Sequence, residues 1–235
     1  MRYGRRMRNA IGLVAALASV SGPVVAHYAI APPLAGFALF ALGGIVSVVT
    51  GLVSVVQVVR GKGLTLGGGL GLLVGLCFVG IASRGAGLPR INDFTTDPTD
   101  PPAFRFAMTL GPNQGRDLGY PQAFAALQRE CCADLRPAKV RGTPHDAYEH
   151  ALRIAKGRPD WTVTQADPEA LTIEVVATSK VFRFQDDLVM RVRPAVDGGA
   201  RIDVRSKSRD GKGDIGANTG RIRELVEALE QPTAQ

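Results

Sequence analysis

The chain has 235 residues, with 28 Lys plus Arg against 21 Asp plus Glu, and a net charge of +7. Six of the basic residues, Arg2, Arg5, Arg6, Arg8, Arg60 and Lys62, lie in the first 83 positions, which hold no acid; the rest carries 22 basic residues against 21 acidic ones, the first being Asp93. The basicity is therefore a membrane signature, and with no basic helix or aromatic-basic interleaving it excludes nucleic acid as a partner.

Three apolar stretches follow the basic start, at about 10–30, 34–59 and 64–83. Each approaches the roughly 20 residues that an α-helix needs to cross a bilayer, and none places an Asp, Glu, Lys or Arg at its centre, where charge is costly. Residues 1–83 are thus expected to be an all-α segment of three transmembrane helices. The arginines before the first span and the link Arg60–Gly63 (RGKG) predict a cytoplasmic N-terminus, while Ile30–Pro33 (IAPP) is uncharged and fits the far side. The third helix then runs outward. This places residues 84–235 outside the cytoplasm of an inner (plasma) membrane, periplasmic in a two-membrane cell. Val24–Ala26 (VVA) also has the form of a signal-peptidase site; with or without cleavage, the next two helices bring the domain out on the same side.

His27 and Gln57 are the polar groups nearest membrane depth, and His27 reads as an interfacial neighbour of Tyr28. Gly43, Ser47 and Gly51 recur every four residues on the second helix, as do Gly67, Gly71 and Gly75 on the third. Such stripes let backbones approach closely, within one hairpin or in a homodimer. We read them as intramolecular.

Residues 84–104 are rich in Pro, Thr and Asp and read as a linker, although Phe94 and Phe104 argue for partial docking. Beyond it, 105–235 is expected to be an α+β extracytoplasmic domain. Tyr120–Cys131 forms a short helix. Thr143, Pro144 and Gly157 cap, start and end a second one. Strands follow at 161–166, 171–179, 188–196 and 200–208, with a tight turn at Asp197-Gly198-Gly199. A last helix spans about 218–230. The expected architecture is an antiparallel sheet of about four strands with helices on one face. Leu188, Met190, Val192, Ile202 and Val204 look inward. Arg191, Arg193, Arg201, Asp203, Arg205 and Lys207 form the opposite stripe, read as a solvated face with cross-strand ion pairs.

The stretches RINDFTTD (Arg90–Asp97), DPPAF (Asp100–Phe104), YP (Tyr120-Pro121), Trp161, DP (Asp167-Pro168), ATS (Ala177–Ser179), FRFQDD (Phe182–Asp187), DVRSKSR (Asp203–Arg209) and GKGDIGANTGRI (Gly211–Ile222) together resemble the domain-of-unknown-function family fourteen-ninety-nine of bacteria and plastids. The chain departs from it in reading Cys132-Ala133-Asp134 where the family often has Tyr-Pro-Asp. The resemblance implies that the Gly-rich loop before the last helix belongs to the domain's pattern, and it implies no chemistry.

That loop is the first candidate site. Arg205, Ser206, Ser208, Arg209, Asp214, Asn218 and Arg221 surround a helix start with free N–H groups, which suits an anion. The same residues also suit a lock, with Asp214 pairing an arginine across the turn. The spacing is not that of a P-loop. The acidic pair Asp186 and Asp187 is the second candidate, for proton transfer or a cation, against an acidic turn tied to Arg205 or Arg209. His145 and His150 are five apart, on different sides of a helix; they are not a zinc pair and read as surface residues. Cys131 and Cys132 read as two thiols or an intermolecular bridge. No catalytic set and no cofactor or metal site is apparent. The expected function is a membrane-anchored, non-enzymatic binding or assembly module of the cell envelope, with an envelope protein or an anionic ligand as its partner. The alternative is an envelope enzyme acting on a lipid or glycan through Asp186, Asp187 or Asp214.

Overall fold

The computed structural model describes residues 2–213 and 215–231. Two compact units are present: one holds residues up to Ala86 together with Ser179–Arg183, the other Gly87–Thr178 and the chain from Phe184 onward.

In the first unit, α1 (Arg2–His27), α2 (Pro33–Val59) and α3 (Leu66–Ala82) are each long and apolar enough to cross a membrane. They pack where side chains are missing. A methyl placed on Gly12 would fall 2.3 Å from the Gly67 carbonyl oxygen, and one on Gly67 would strike Asn9. Gly22 and Gly36 oppose each other between α1 and α2, Gly43 lies on Ser19, and Gly51 and Gly75 lie on the α3 and α2 backbones at Leu72 and Val48. Both glycine stripes are thus used within the bundle, and α1 adds Gly12 and Gly22 to them. The Asn9 side chain accepts a hydrogen bond from the Gly67 N–H at 2.8 Å, and Thr65 caps α3. Leu17, Leu42, Leu52, Leu73 and Leu76 face outward, as lipid-facing residues do.

The second unit is α+β. Its elements are β1 (Asp93–Thr95), α4 (Gln122–Cys131), β2 (Ala138–Val140), α5 (Pro144–Lys156), β3 (Trp161–Asp167), β4 (Thr172–Thr178), β5 (Gln185–Pro194), β6 (Ala200–Ser208) and α6 (Ala217–Glu230). The sheet is antiparallel with order β1-β6-β5-β4-β3, and β2 pairs with β6 beside β1. It has six strands rather than about four. The two extra ones are three residues long, too short to show a period. β1 arises inside the stretch expected as a linker: Ile91, Phe94 and Phe104 are buried, and the strand pairs Asp93 with Lys207.

Local signals account for most boundaries. Thr143 and Asp146 form a capping box at α5. Gly198 and Gly199 adopt positive φ in the β5–β6 turn. One sheet face carries Ile173, Val175, Leu188, Met190, Ile202 and Val204 against Ala147, Tyr148 and Ala151 of α5 and Ile222, Leu225 and Leu229 of α6. The other face is not a solvated surface. Phe104, Ala107 and Leu118, from the irregular segment before α4, cover it around Val189, and Asp203, Arg205 and Lys207 are buried.

Two smaller expectations also change. His150 is buried with neither ring nitrogen hydrogen-bonded, because it flanks the Ala147–Ala151 stripe that α5 turns inward. Cys131 and Cys132 are joined by a disulfide. Cys132 is the residue at which the chain leaves helical geometry after α4, which turns its side chain back toward its neighbour.

Candidate functional site

Side chains along a strand alternate between faces, and this divides the two candidate clusters. Ser206 and Ser208 point to the helix side, as does Asp186. Arg205, Lys207 and Asp187 point to the covered side. The adjacent carboxylates of Asp186 and Asp187 are therefore on opposite faces of the sheet and do not form a pair.

On the helix side, Arg221 of α6 reaches Asp186 at 2.7 Å and the Ser206 hydroxyl at 2.9 Å. Asn218 accepts from Ser206 at 2.7 Å and donates to Ser208 at 2.8 Å. Gly216, at φ +97°, supplies the left-handed turn into α6. The cluster ties the strand-to-helix connection to β6. Asp214, the acid expected to take part in it, lies outside the described residues.

The covered side holds three carboxylate-centred clusters. In the first, Asp93 receives both arms of the Arg205 guanidinium, at 2.9 and 2.7 Å, and the Lys207 ammonium at 3.0 Å. Arg205 is 2% exposed. It also donates to the carbonyls of Pro102 and Leu118 and lies over the rings of Phe104 and Tyr120, 4.7 and 5.4 Å from their centroids. Four hydrogen bonds and two aromatic rings thus engage this cation inside the protein. Burial, followed by the nearby Asp93 charge, pushes the Tyr120 hydroxyl up to about 12.

In the second cluster, Asp187 is held by Arg209 at 2.6 Å, by Arg116 at 3.3 Å and by the Asn113 amide at 3.0 Å. In the third, Asp203 binds Arg191, Arg193 and Arg201 at 3.0, 2.6 and 2.7 Å, and Asp97 and Asp100 close the outer side of the same arginines. Burial raises the Asp97 pKa, but the Thr99 hydroxyl, the Asp100 N–H and Arg201 outweigh it and hold the carboxyl below its ordinary value.

Glu174 is a further fixed point. It is nearly buried, and its two oxygens accept the backbone N–H groups of Arg105, Phe106 and Ala107 at 2.7, 2.8 and 2.7 Å. A strand carboxylate thereby organises the turn that covers the sheet.

Sequence reasoning named Asp186, Asp187, Arg205, Arg209 and Arg221 but not their partners Asp93, Arg116 and Asn113, nor the role of Glu174. The alternation along 203–209 was available to divide the cluster in two. The partners come from 69 to 114 residues away and leave no local trace.

The buried carboxylates Asp93, Asp97, Glu174, Asp186, Asp187 and Asp203 are each engaged by cations or N–H donors. Among the described residues, no group of three or more His, Cys, Asp or Glu is placed to hold a metal ion. The arrangement is chemically suited to fixing geometry, since each carboxylate has its oxygens taken up by internal donors.

The model of the family described as protein of unknown function (DUF1499) matches residues 93–229, more than half of the chain. The chain belongs to this family. The match begins at Asp93, the first residue of β1 and the carboxylate that Arg205 grips. Neither a curated protein nor a solved structure matches the chain.

Proposed function

We propose that this DUF1499 chain is an integral inner-membrane protein that displays its α+β domain on the extracytoplasmic side, as a non-enzymatic binding or assembly module of the cell envelope. The observation that carries the non-enzymatic reading is the commitment of the six buried carboxylates to internal partners. A general acid or base must reach the proton that it gives or takes; the oxygens of these groups are instead engaged by cations and N–H donors of the protein itself. The cluster of Asp186, Ser206, Ser208, Asn218 and Arg221 acts as a lock on the strand-to-helix turn, and Asp187 is part of the covering of the sheet. Contact with an envelope partner then falls to the outer surface, where Arg136, Pro137, Lys139, Pro194, Val196 and Arg201 are among the residues that line a concavity of about 810 Å³. The orientation is supported by the six basic residues at one end of the helical unit and the absence of acid before Asp93.

Two experiments test this. A reporter that is active only outside the cytoplasm, fused after residue 235, should be active; activity of a cytoplasm-only reporter at that position would overturn the orientation. Asp187→Asn in the full chain should lower the melting temperature by several degrees. If that variant keeps its melting temperature and loses a measurable turnover on an envelope lipid or glycan, Asp187 is catalytic and the module is an enzyme.

A further inference from the structure

The helical unit contains a polar concavity of about 600 Å³ lined by Arg5 and Arg8 of α1, Ser54 and Gln57 of α2, and Lys62 and Thr65 of the α2–α3 link. A second, shallower one of about 460 Å³ adjoins it through Arg5, Leu64 and Thr65 and adds Arg6. Three features distinguish this end of the bundle from an ordinary basic flank. Its cations converge on one hollow between helices instead of spreading around the rim. No carboxylate is available from the same unit, because neither the chain up to Ala86 nor 179–183 contains Asp or Glu. Finally, Gln57 in the same wall has its Oε1 enclosed with no hydrogen-bond partner, which an apolar setting penalises unless a donor is supplied.

From this we infer that the hollow binds the phosphodiester headgroup of an anionic phospholipid, with Arg5, Arg8 and Lys62 on the phosphate and Gln57, once its side chain turns into the hollow, accepting from a headgroup hydroxyl such as those of phosphatidylglycerol. The volume lies in the range of small-ligand sites. Arginine and lysine at this depth favour phosphate oxygens, and basic pockets between membrane helices on the cytoplasmic side take up anionic headgroups. Thr65 closes the floor by capping α3, so the pocket wall is also a helix start. Bound lipid therefore braces α1 against the α2–α3 link. The inference rests on the three-span reading.

The test uses the full chain in nanodiscs of equal phosphatidylglycerol and phosphatidylcholine, released for native mass spectrometry that counts retained lipid. The wild type should retain phosphatidylglycerol in preference to phosphatidylcholine. Arg8→Gln and Lys62→Gln should each reduce retention about five-fold, and the double variant about 25-fold, as expected for roughly one unit charge each near an anionic surface. Arg60→Gln, at the same end but outside the hollow, should retain lipid as the wild type does. Equal retention of the two lipids, or an equal loss in Arg60→Gln, overturns the pocket. Loss of lipid on adding excess inorganic phosphate assigns the hollow to free phosphate and overturns the lipid. Failure to enter nanodiscs, with extraction of the chain from membranes by alkaline carbonate, defeats the membrane reading itself. Entry without selective retention defeats this inference alone.

Discussion

Between α1 and α3 of the helical unit, a glycine meets a glycine and an asparagine side chain meets an amide. On the covered face of the sheet, an arginine with four hydrogen bonds fills the equivalent space. The difference follows from solvent and cost. In a bilayer, lipid tails are as apolar as leucine, so helices gain little from burying leucine against one another, and close backbone contact supplies the attraction. In the α+β domain the apolar face is already used by α5 and α6, and the second face is closed by matching cations to carboxylates. A buried ion pair adds little net stability compared with an apolar pair, but breaking one leaves an uncompensated charge. The two regions should therefore fail differently: the bundle to added volume, the lattice to removed charge.

The largest expected effect is Arg205→Ala, which strands the Asp93 carboxylate beside Lys207 and should cost about 3–5 kcal/mol in chemical denaturation. Combining Arg205→Met with Asp93→Leu and Lys207→Met, which removes all three charges of the cluster, should recover a large part of that loss; a triple variant no better than the single one would show that Arg205 acts through shape alone. Next comes Gly67→Leu, whose side chain has no space beside Asn9. It should separate α1 from α3, cost about 1–3 kcal/mol, and be read by loss of a cross-link engineered between those helices, with the melting of the α+β domain unchanged. Glu174→Gln keeps the shape of the carboxylate but replaces one acceptor oxygen with a donor; a loss of about 1–3 kcal/mol is expected, with faster amide exchange at Arg105–Ala107. Lys139→Ala breaks an ion pair with Asp197 in which both partners are exposed, and its effect on the melting curve should stay under about 1 kcal/mol.

Titration sharpens the same contrast. Tyr120 has a folded pKa raised to about 12 from 10.0 by burial and then by Asp93. Its contribution is thus present below pH 10 and lost as pH rises toward 12. For Asp97 the folded pKa lies below the ordinary 3.8, so its contribution is present above that value and lost as pH falls through the folded one. Stability of the α+β domain against pH should decline at both ends, and Tyr120→Phe should flatten the alkaline side only. An unchanged alkaline limb in that variant would place the decline elsewhere.

How far these features were legible depends on the range of the forces involved. Spans of 20 residues, the Thr143 cap and the Gly198-Gly199 turn are local, and their residues announce them. The alternation of 188–192 and 202–204 separates the sheet's faces just as directly. What covers the second face was not legible: the residues from Thr96 to Gly119 have no period, and the reason for their course is a set of hydrogen bonds to Glu174, Asp187 and Arg205. Glu174 reads as an ordinary exposed strand residue, and Asp187 and Arg205 as members of candidate ligand sites, until the partner of each, far away in the chain, is placed beside it. Asp93–Thr95 was concealed in the same way, since three residues next to proline-rich sequence look like tether. For the candidate site, the residues were found but their division between two faces and their internal partners were not.

The position of β6 bears on how the domain comes to be made. This strand pairs with β1, β2 and β5, and it is the last strand among the described residues. Asp93 follows soon after α3 in the chain and meets Arg205 and Lys207 only 112 and 114 residues later. Until β6 has been made, β1 and β2 have no sheet edge to join. Closing loops of that length is slow compared with forming the β3–β4 hairpin, and the waiting strands are the kind that aggregate. Folding of this domain therefore ends in a late closure that becomes possible once β6 has been made. A chain halted before Ala200 should leave the domain unfolded and open to proteolysis, with the three long helices in place.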